Sequence, residues 1–241
     1  FDDKKDNYTP EEMDGKTTLI SRAAKIAIEE KGLFLVVSAG NEGNSPRWRL
    51  VSAPADVQGV LSVAANSGIG MKMNYSSLGP EFLDYVKPNV SAFSFWGTSF
   101  SAPLITGFAA CLLQEKPSVS NQELFQIIQK SATLYPYANN YLGYGIPDAQ
   151  KALLLLEGKK AKSSFVSKKV KGDFFILKLK EKSTKDKVLR VVYFHKKDKH
   201  NVTKQGSFKS EKDKHKLKRP SQKVKFTTVI YGEQRWEIAW E

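Results

Sequence analysis

A single cysteine, Cys111, stands among 241 residues. That excludes an internal disulfide and any cysteine-built metal site; within its apolar surroundings Cys111 reads as a small core side chain. Histidine is almost as scarce. The three are His195, His200 and His215, so the first 194 residues contain no imidazole. No run of about 18 apolar residues occurs, which excludes a membrane-spanning helix. Acid is short in only one part of the chain. Residues 1–157 carry 13 Lys and Arg against 16 Asp and Glu, whereas residues 158–241 carry 25 against 9. This break near Gly158-Lys159-Lys160 predicts two domains, 1–157 and 158–241. The hydrophobic share, 41%, is enough for a globular core.

The first domain reads as alternating strands and helices. Buried strands are expected at 33–38 and 59–65. Helices are expected at about 17–31, 99–116, 120–132 and 147–156. Ser120-x-x-Glu123 forms a capping box for the third of these. Such alternation implies a parallel sheet flanked by helices. The second domain reads as a small antiparallel β structure, with strands at 174–180, 188–194, 224–231 and 235–240 and a hairpin at Gly232. The lysine-rich stretch 195–223 between them reads as a long exposed loop or arm, with its three histidines solvated.

Two segments carry chemistry. Gly97-Thr98-Ser99-Phe100-Ser101-Ala102-Pro103 puts a serine at the mouth of an apolar helix, where helix-end amides stabilise negative charge. By itself it fits a capping serine better than a nucleophile. Leu35-Val36-Val37-Ser38-Ala39-Gly40-Asn41-Glu42-Gly43 is a β-branched run that ends in a sharp turn and presents an amide. Ligands bind at that edge of a parallel sheet, although Asn41 also fits an ordinary turn residue.

Together these segments resemble the subtilisin-like serine proteases (subtilases), in order and approximate spacing. The resemblance extends through Ala53-Pro54-Ala55-Asp56, Gly59–Ala65, Asn74–Pro80, Val86–Ala92 and Gly143–Ala149, and covers residues 1 to about 156. It implies a subtilisin-like α/β fold, of which this chain is the second half. It implies a serine endopeptidase with Ser99 as nucleophile and Asn41 in the oxyanion hole. Ser38, Ala39 and Gly40 would wall the pocket for the residue before the scissile bond. Trp96 would flank the leaving-group side, although a packed loop aromatic fits it equally well. The stretch from Ala92 to Trp96 is shorter than the family's Gly-rich loop.

The family also needs an Asp and a His, both preceding the asparagine motif. Asp2, Asp3, Asp6 and Asp14 lack the strand-end Asp-x-Gly setting, and none is assigned as the triad acid. The resemblance therefore implies that both groups come from an N-terminal half of the same precursor, the principal partner expected here besides a peptide or protein substrate. No cofactor is required. Structural calcium is common in the family, but no distinctive calcium loop is visible. The family's setting is secreted or extracytoplasmic. A competing reading is a catalytically incomplete binding module that works through its basic domain. The charged stretch lacks interleaved aromatics, which argues against nucleic acid as its ligand.

Overall fold

The computed structural model describes residues 8–162, 165–180, 189–209 and 213–241. Asp2, Asp3 and Asp6 lie outside the described residues, as does position 188 of the strand expected at 188–194. The chain divides into two compact units, one of residues 1–68 and 72–161, the other of 69–71 and 162–241.

The first unit is built on three parallel strands, β1 (Val36–Ser38), β2 (Leu61–Asn66) and β3 (Val90–Phe93), in the order β1-β2-β3. Every residue of β2 is buried, as a central parallel strand covered on both faces must be. Leu61 and Val63 of β2 join Val90 and Ala92 of β3 in one cluster. Onto it pack Ile105, Ala109 and Leu112 of α2 (Thr98–Glu115), Leu124, Ile127 and Ile128 of α3 (Asn121–Ser131), and Ala152 and Leu156 of α4 (Ala149–Leu156). A second cluster joins Val57 and Val60 to Ala24 and Ile28 of α1 (Leu19–Glu29). The helix starts follow from their caps. Thr18 accepts the Ser21 N–H, Ser120 the Glu123 N–H and Asp148 the Lys151 N–H, each satisfying an orphan first-turn donor.

Several expectations need correction. The strand at 33–38 shrinks to three half-buried residues, and Leu33 is exposed. Helix α2 is apolar on all sides, yet Phe100 and Leu104 face solvent. Cys111 is exposed rather than part of the core. Its neighbours Leu112 and Ala109 take the buried stripe, and a position one residue away on a helix points elsewhere.

The second unit holds a five-stranded sheet ordered β4-β10-β9-β6-β7 and a two-stranded sheet β5-β8. The strands are β4 (Phe165–Val170), β5 (Phe174–Lys178), β6 (Arg190–Lys196), β7 (Val202–Lys209), β8 (Lys214–Lys218), β9 (Phe226–Tyr231) and β10 (Gln234–Trp240). The larger sheet is mixed rather than antiparallel, because β4 runs parallel to β10. The expected loop at 195–223 contains β7 and β8. In β8, Lys214, Lys216 and Lys218 are exposed while His215 and Leu217 turn inward. That is ordinary strand alternation, hidden from the sequence because so few inward positions are strongly apolar. His195 is buried rather than solvated. Its Nδ1 lies 2.8 Å from Thr227 Oγ1, which also accepts the Trp240 Nε1–H. Burial pushes the His195 imidazole down to about 4. Lys196 and Glu237 form a buried ion pair at 2.7 Å, with Thr228 Oγ1 donating to the other carboxylate oxygen.

Candidate functional site

Asn41 and Ser99 both lie at the carboxyl edge of the parallel sheet, where α/β ligand sites form. β1 ends at Ser38 and delivers Asn41 three residues later, in the following turn. β3 ends at Phe93 and delivers Ser99 as the second residue of α2. The helix is capped by Gly97, so Ser99 is not the capping residue. Its side chain is exposed at the end of the helix where first-turn N–H groups lack internal partners.

The two segments are joined through Thr98, which is fully buried. The Thr98 N–H donates to Asn41 Oδ1 at 2.9 Å, and Thr98 Oγ1 donates to the same oxygen at 3.0 Å. The Gly40 N–H donates to Thr98 Oγ1 at 3.1 Å. An amide whose oxygen takes two donors has only its NH₂ left to offer. That NH₂ lies beside Gly97, the Asn41 Nδ2 being 3.5 Å from where a Gly97 Cβ would stand. The arrangement therefore presents an amide donor next to the segment that carries Ser99. Charge developing there also meets the α2 N-terminus.

The turn bearing Asn41 is braced by residues 73–78. Ser77 N–H donates to Gly40 O at 3.0 Å, Glu42 N–H to Ser77 Oγ at 3.0 Å, and Gly43 N–H to Tyr75 O at 2.7 Å. Gly40 has φ +107°, and a Cβ there would come within 2.9 Å of Ser77 Oγ and 3.0 Å of Ser52 Oγ. A Cβ on Gly43 would collide with the Ser76 carbonyl. Both glycines are thus demanded by the brace. Its far side is held by Lys72, whose ammonium donates to the carbonyls of Met73, Asn74 and Ser76 at 2.8, 3.1 and 2.7 Å. Burial, with Arg49 nearby, lowers Lys72 to about 8. Lys87 is also buried, donating to Val60 O at 2.6 Å and Asn89 Oδ1 at 3.0 Å, and burial lowers it to about 7.

Ser38 is half-buried at the end of β1, and Gly40 is half-buried beside it. Ala39 is fully buried against Val51 and Ala55. A cleft of about 630 Å³ is lined by Tyr8, Met13, Ile20, Glu42, Trp48, Ser52 and Ala53. Of these, only Ala53 falls in a segment that the sequence singled out after the asparagine motif. Tyr8, Met13, Ile20 and Trp48 come from irregular chain or a helix surface, where no periodicity marks a lining residue. Trp96 is 85% exposed in this chain. Asp14 serves locally: its carboxylate accepts the N–H groups of Lys16 and Thr17 and the Thr17 hydroxyl. Among the described residues, no cluster of three or more His, Cys, Asp or Glu could hold a metal ion. No helix among them is long and apolar enough to cross a membrane.

Residues 5–145 match the subtilase family (peptidase S8). The chain is 30% identical over 144 residues to a subtilisin of Bacillus pumilus, covering 55% of this chain and 52% of that one. It is 32% identical over 130 residues to a thermostable alkaline protease of Halalkalibacterium halodurans, covering 50% and 34%. The chain thus spans about half or less of the length of these curated relatives. The solved self-cleaved protease domain of PatA superposes with a TM-score of 0.51 at 23% identity, covering 61% of this chain and 59% of that one; this is a likeness of fold. The parallel sheet flanked by helices, the asparagine turn and the serine at the head of α2 agree with the match over 5–145, and the chain belongs to the subtilase family of serine proteases.

Proposed function

We propose that this chain supplies the nucleophile and oxyanion hole of a serine endopeptidase, with the triad Asp and His coming from an N-terminal part of the same precursor. The observation that carries this reading is the double hold of Thr98 on Asn41 Oδ1, which leaves the amide NH₂ as a donor beside the Ser99 segment. Ser99 Oγ attacks the peptide carbonyl while the incoming imidazole takes its proton. Asn41 Nδ2 and the Ser99 N–H donate to the oxyanion that forms. The imidazolium then protonates the leaving amine, and water hydrolyses the acyl-enzyme. Ser38, Ala39 and Gly40 flank the residue before the scissile bond, the cleft beside Glu42 receives its side chain, and Trp96 lies on the leaving-group side. No cofactor takes part in these steps. The reaction belongs to a secreted or extracytoplasmic setting, as the family resemblance implies.

The chain joined to its His-bearing part should hydrolyse peptide anilides, and Ser99→Ala should abolish this. Hydrolysis retained by Ser99→Ala would refute the assignment.

A second reading is a binding module that acts through the basic second unit. The register of the β5–β8 ribbon favours it, setting Lys218, Lys216 and Lys214 opposite Phe174, Ile176 and Lys178 on one exposed face. Inactivity of the joined protein, together with retention on an anionic matrix, would support this reading over the first.

A further inference from the structure

The β5–β8 ribbon has one face in the core and one in water. Phe174, Ile176 and Lys178 stand opposite Lys218, Lys216 and Lys214 in the antiparallel register. Strand alternation puts these three pairs on one face, and all six residues are exposed. They form a single surface. The pairs are neighbours along two hydrogen-bonded strands, and Lys216 Nζ lies 3.9 Å from the centroid of the Phe174 ring, bridging one pair to the next. The opposite face anchors the ribbon. Leu177 and Leu217 are buried in the core of the second unit, and Phe175 packs against it. The His215 and Phe208 ring centroids are 4.0 Å apart.

The chemistry of this face decides its occupant. It holds four lysines and no acid. Asp173 and Asp213, one residue before each strand, fall on the other phase of the alternation, and their backbone carbonyls accept the N–H groups of Arg219 and Leu179. Among the described residues, none of the four lysines enters a salt bridge. Lys178 and Lys214 are like charges directly opposite, which costs stability and which an anion lying across them relieves. Lysines on an exposed ribbon also discourage pairing with a stray strand. That leaves Phe174 and Ile176, 49% and 50% exposed, without a reason. A soluble polyanion would engage the lysines and leave both apolar side chains in water. A bilayer surface takes both kinds of group. The apolar side chains enter the boundary between headgroups and acyl chains, and the long lysine stems carry their ammonium groups to the phosphates.

We propose that the outer face of the β5–β8 ribbon docks this protein on an anionic phospholipid bilayer, with Phe174 and Ile176 in the headgroup boundary and Lys178, Lys214, Lys216 and Lys218 on the phosphates. This names a partner for the face on which the binding reading rests, and it holds whether or not Ser99 is activated.

The test mixes the full chain with vesicles of phosphatidylcholine alone, or of phosphatidylcholine and phosphatidylglycerol in equal parts, and reads binding by co-sedimentation. Binding to the anionic vesicles should be at least about tenfold tighter and should weaken as salt rises. Lys214→Gln combined with Lys216→Gln should lower it about 25-fold, at about fivefold per lysine near an anionic surface. The charge-matched pair Lys199→Gln and Lys225→Gln, exposed and outside the ribbon, should leave it nearly unchanged. Phe174→Ala combined with Ile176→Ala should weaken vesicle binding about tenfold, with retention on dextran sulfate unaltered. All these positions are exposed, and urea unfolding run beside the binding checks that each variant is folded. Equal binding to the two kinds of vesicle, equal losses from the two lysine pairs, or vesicle binding indifferent to the two alanines overturns the proposal. Retention on dextran sulfate without vesicle binding also overturns it, while leaving the wider reading of a basic binding face in place.

Discussion

Thr98 grips Asn41 twice, through its N–H at 2.9 Å and its hydroxyl at 3.0 Å. The backbone bond survives a change of side chain to valine, but the hydroxyl bond does not. Thr98→Val should therefore leave Asn41 held by one bond and free to turn. Loss of a neutral hydrogen bond is worth about 0.5–1.5 kcal/mol, so kcat should fall about 2- to 13-fold with KM little changed. Thr98→Ser should restore most of it. Steady-state kinetics on a peptide anilide separate the two terms, and a change confined to KM would contradict the orienting role.

Removing the donor itself should cost more. Asn41→Ala is expected to lower kcat by about 10²–10³, the range measured for the oxyanion asparagine of subtilisin, with KM close to that of the parent. A variant that binds substrate poorly but turns it over at the normal rate would exclude Asn41 from the oxyanion hole.

Gly40→Ala tests the brace. The new Cβ would press on Ser77 Oγ and Ser52 Oγ, and alanine disfavours φ +107°. A strained backbone position costs about 1–3 kcal/mol, and the displaced turn should carry Asn41 with it. Denaturant unfolding should show the lower midpoint, and activity should drop further than stability alone explains. A variant as stable as the parent would show that the turn yields freely.

Buried cations give the fold a pH signature. Lys87 and Lys72 titrate near 7 and 8 in the folded chain instead of near 10.5. Between those values and 10.5 the unfolded chain holds more protons, so these two residues make stability rise with pH across that window. Lys87→Met should flatten part of the slope in urea titrations between about pH 7 and about pH 10.5; a slope identical in parent and variant would remove Lys87 as its cause.

His195 acts in a lower window. Its folded value of about 4 against 6.5 unfolded means the unfolded chain binds the extra proton between those limits. Its contribution is complete above about pH 6.5 and is lost as pH falls toward 4. The second unit should therefore loosen in mild acid, reported by emission from Trp236 and Trp240, and His195→Gln should shift that transition. An acid response identical in parent and variant would remove His195 as its cause.

The sequence disclosed most where the chain's chemistry and its periodicity coincide. The strand running into Gly40 and Asn41 was legible as a β-branched run ending in a glycine and an amide, although it starts three residues later than the expected residue 33. Ser120, three residues before Glu123, marked the start of α3 for the same local reason. The brace on Asn41 stayed hidden because its bonds join residues about 35 apart, such as Glu42 and Ser77, and no local pattern encodes them. β8 stayed hidden because three of its five residues are lysines that face water. The cleft beside Glu42 draws Met13, Ile20 and Trp48 from three separated segments. Only folding brings them together.

The most direct measurement of the central claim is fluorophosphonate labelling of the protein joined to its His-bearing part, with the modified residue located by peptide mass. A covalent adduct on Ser99, absent from Ser99→Ala and from the chain without its partner, is the predicted result, because a serine hydroxyl reacts only when a base removes its proton. Labelling at another residue, or none in a joined protein that is folded, would contradict the assignment of Ser99 as an activated nucleophile.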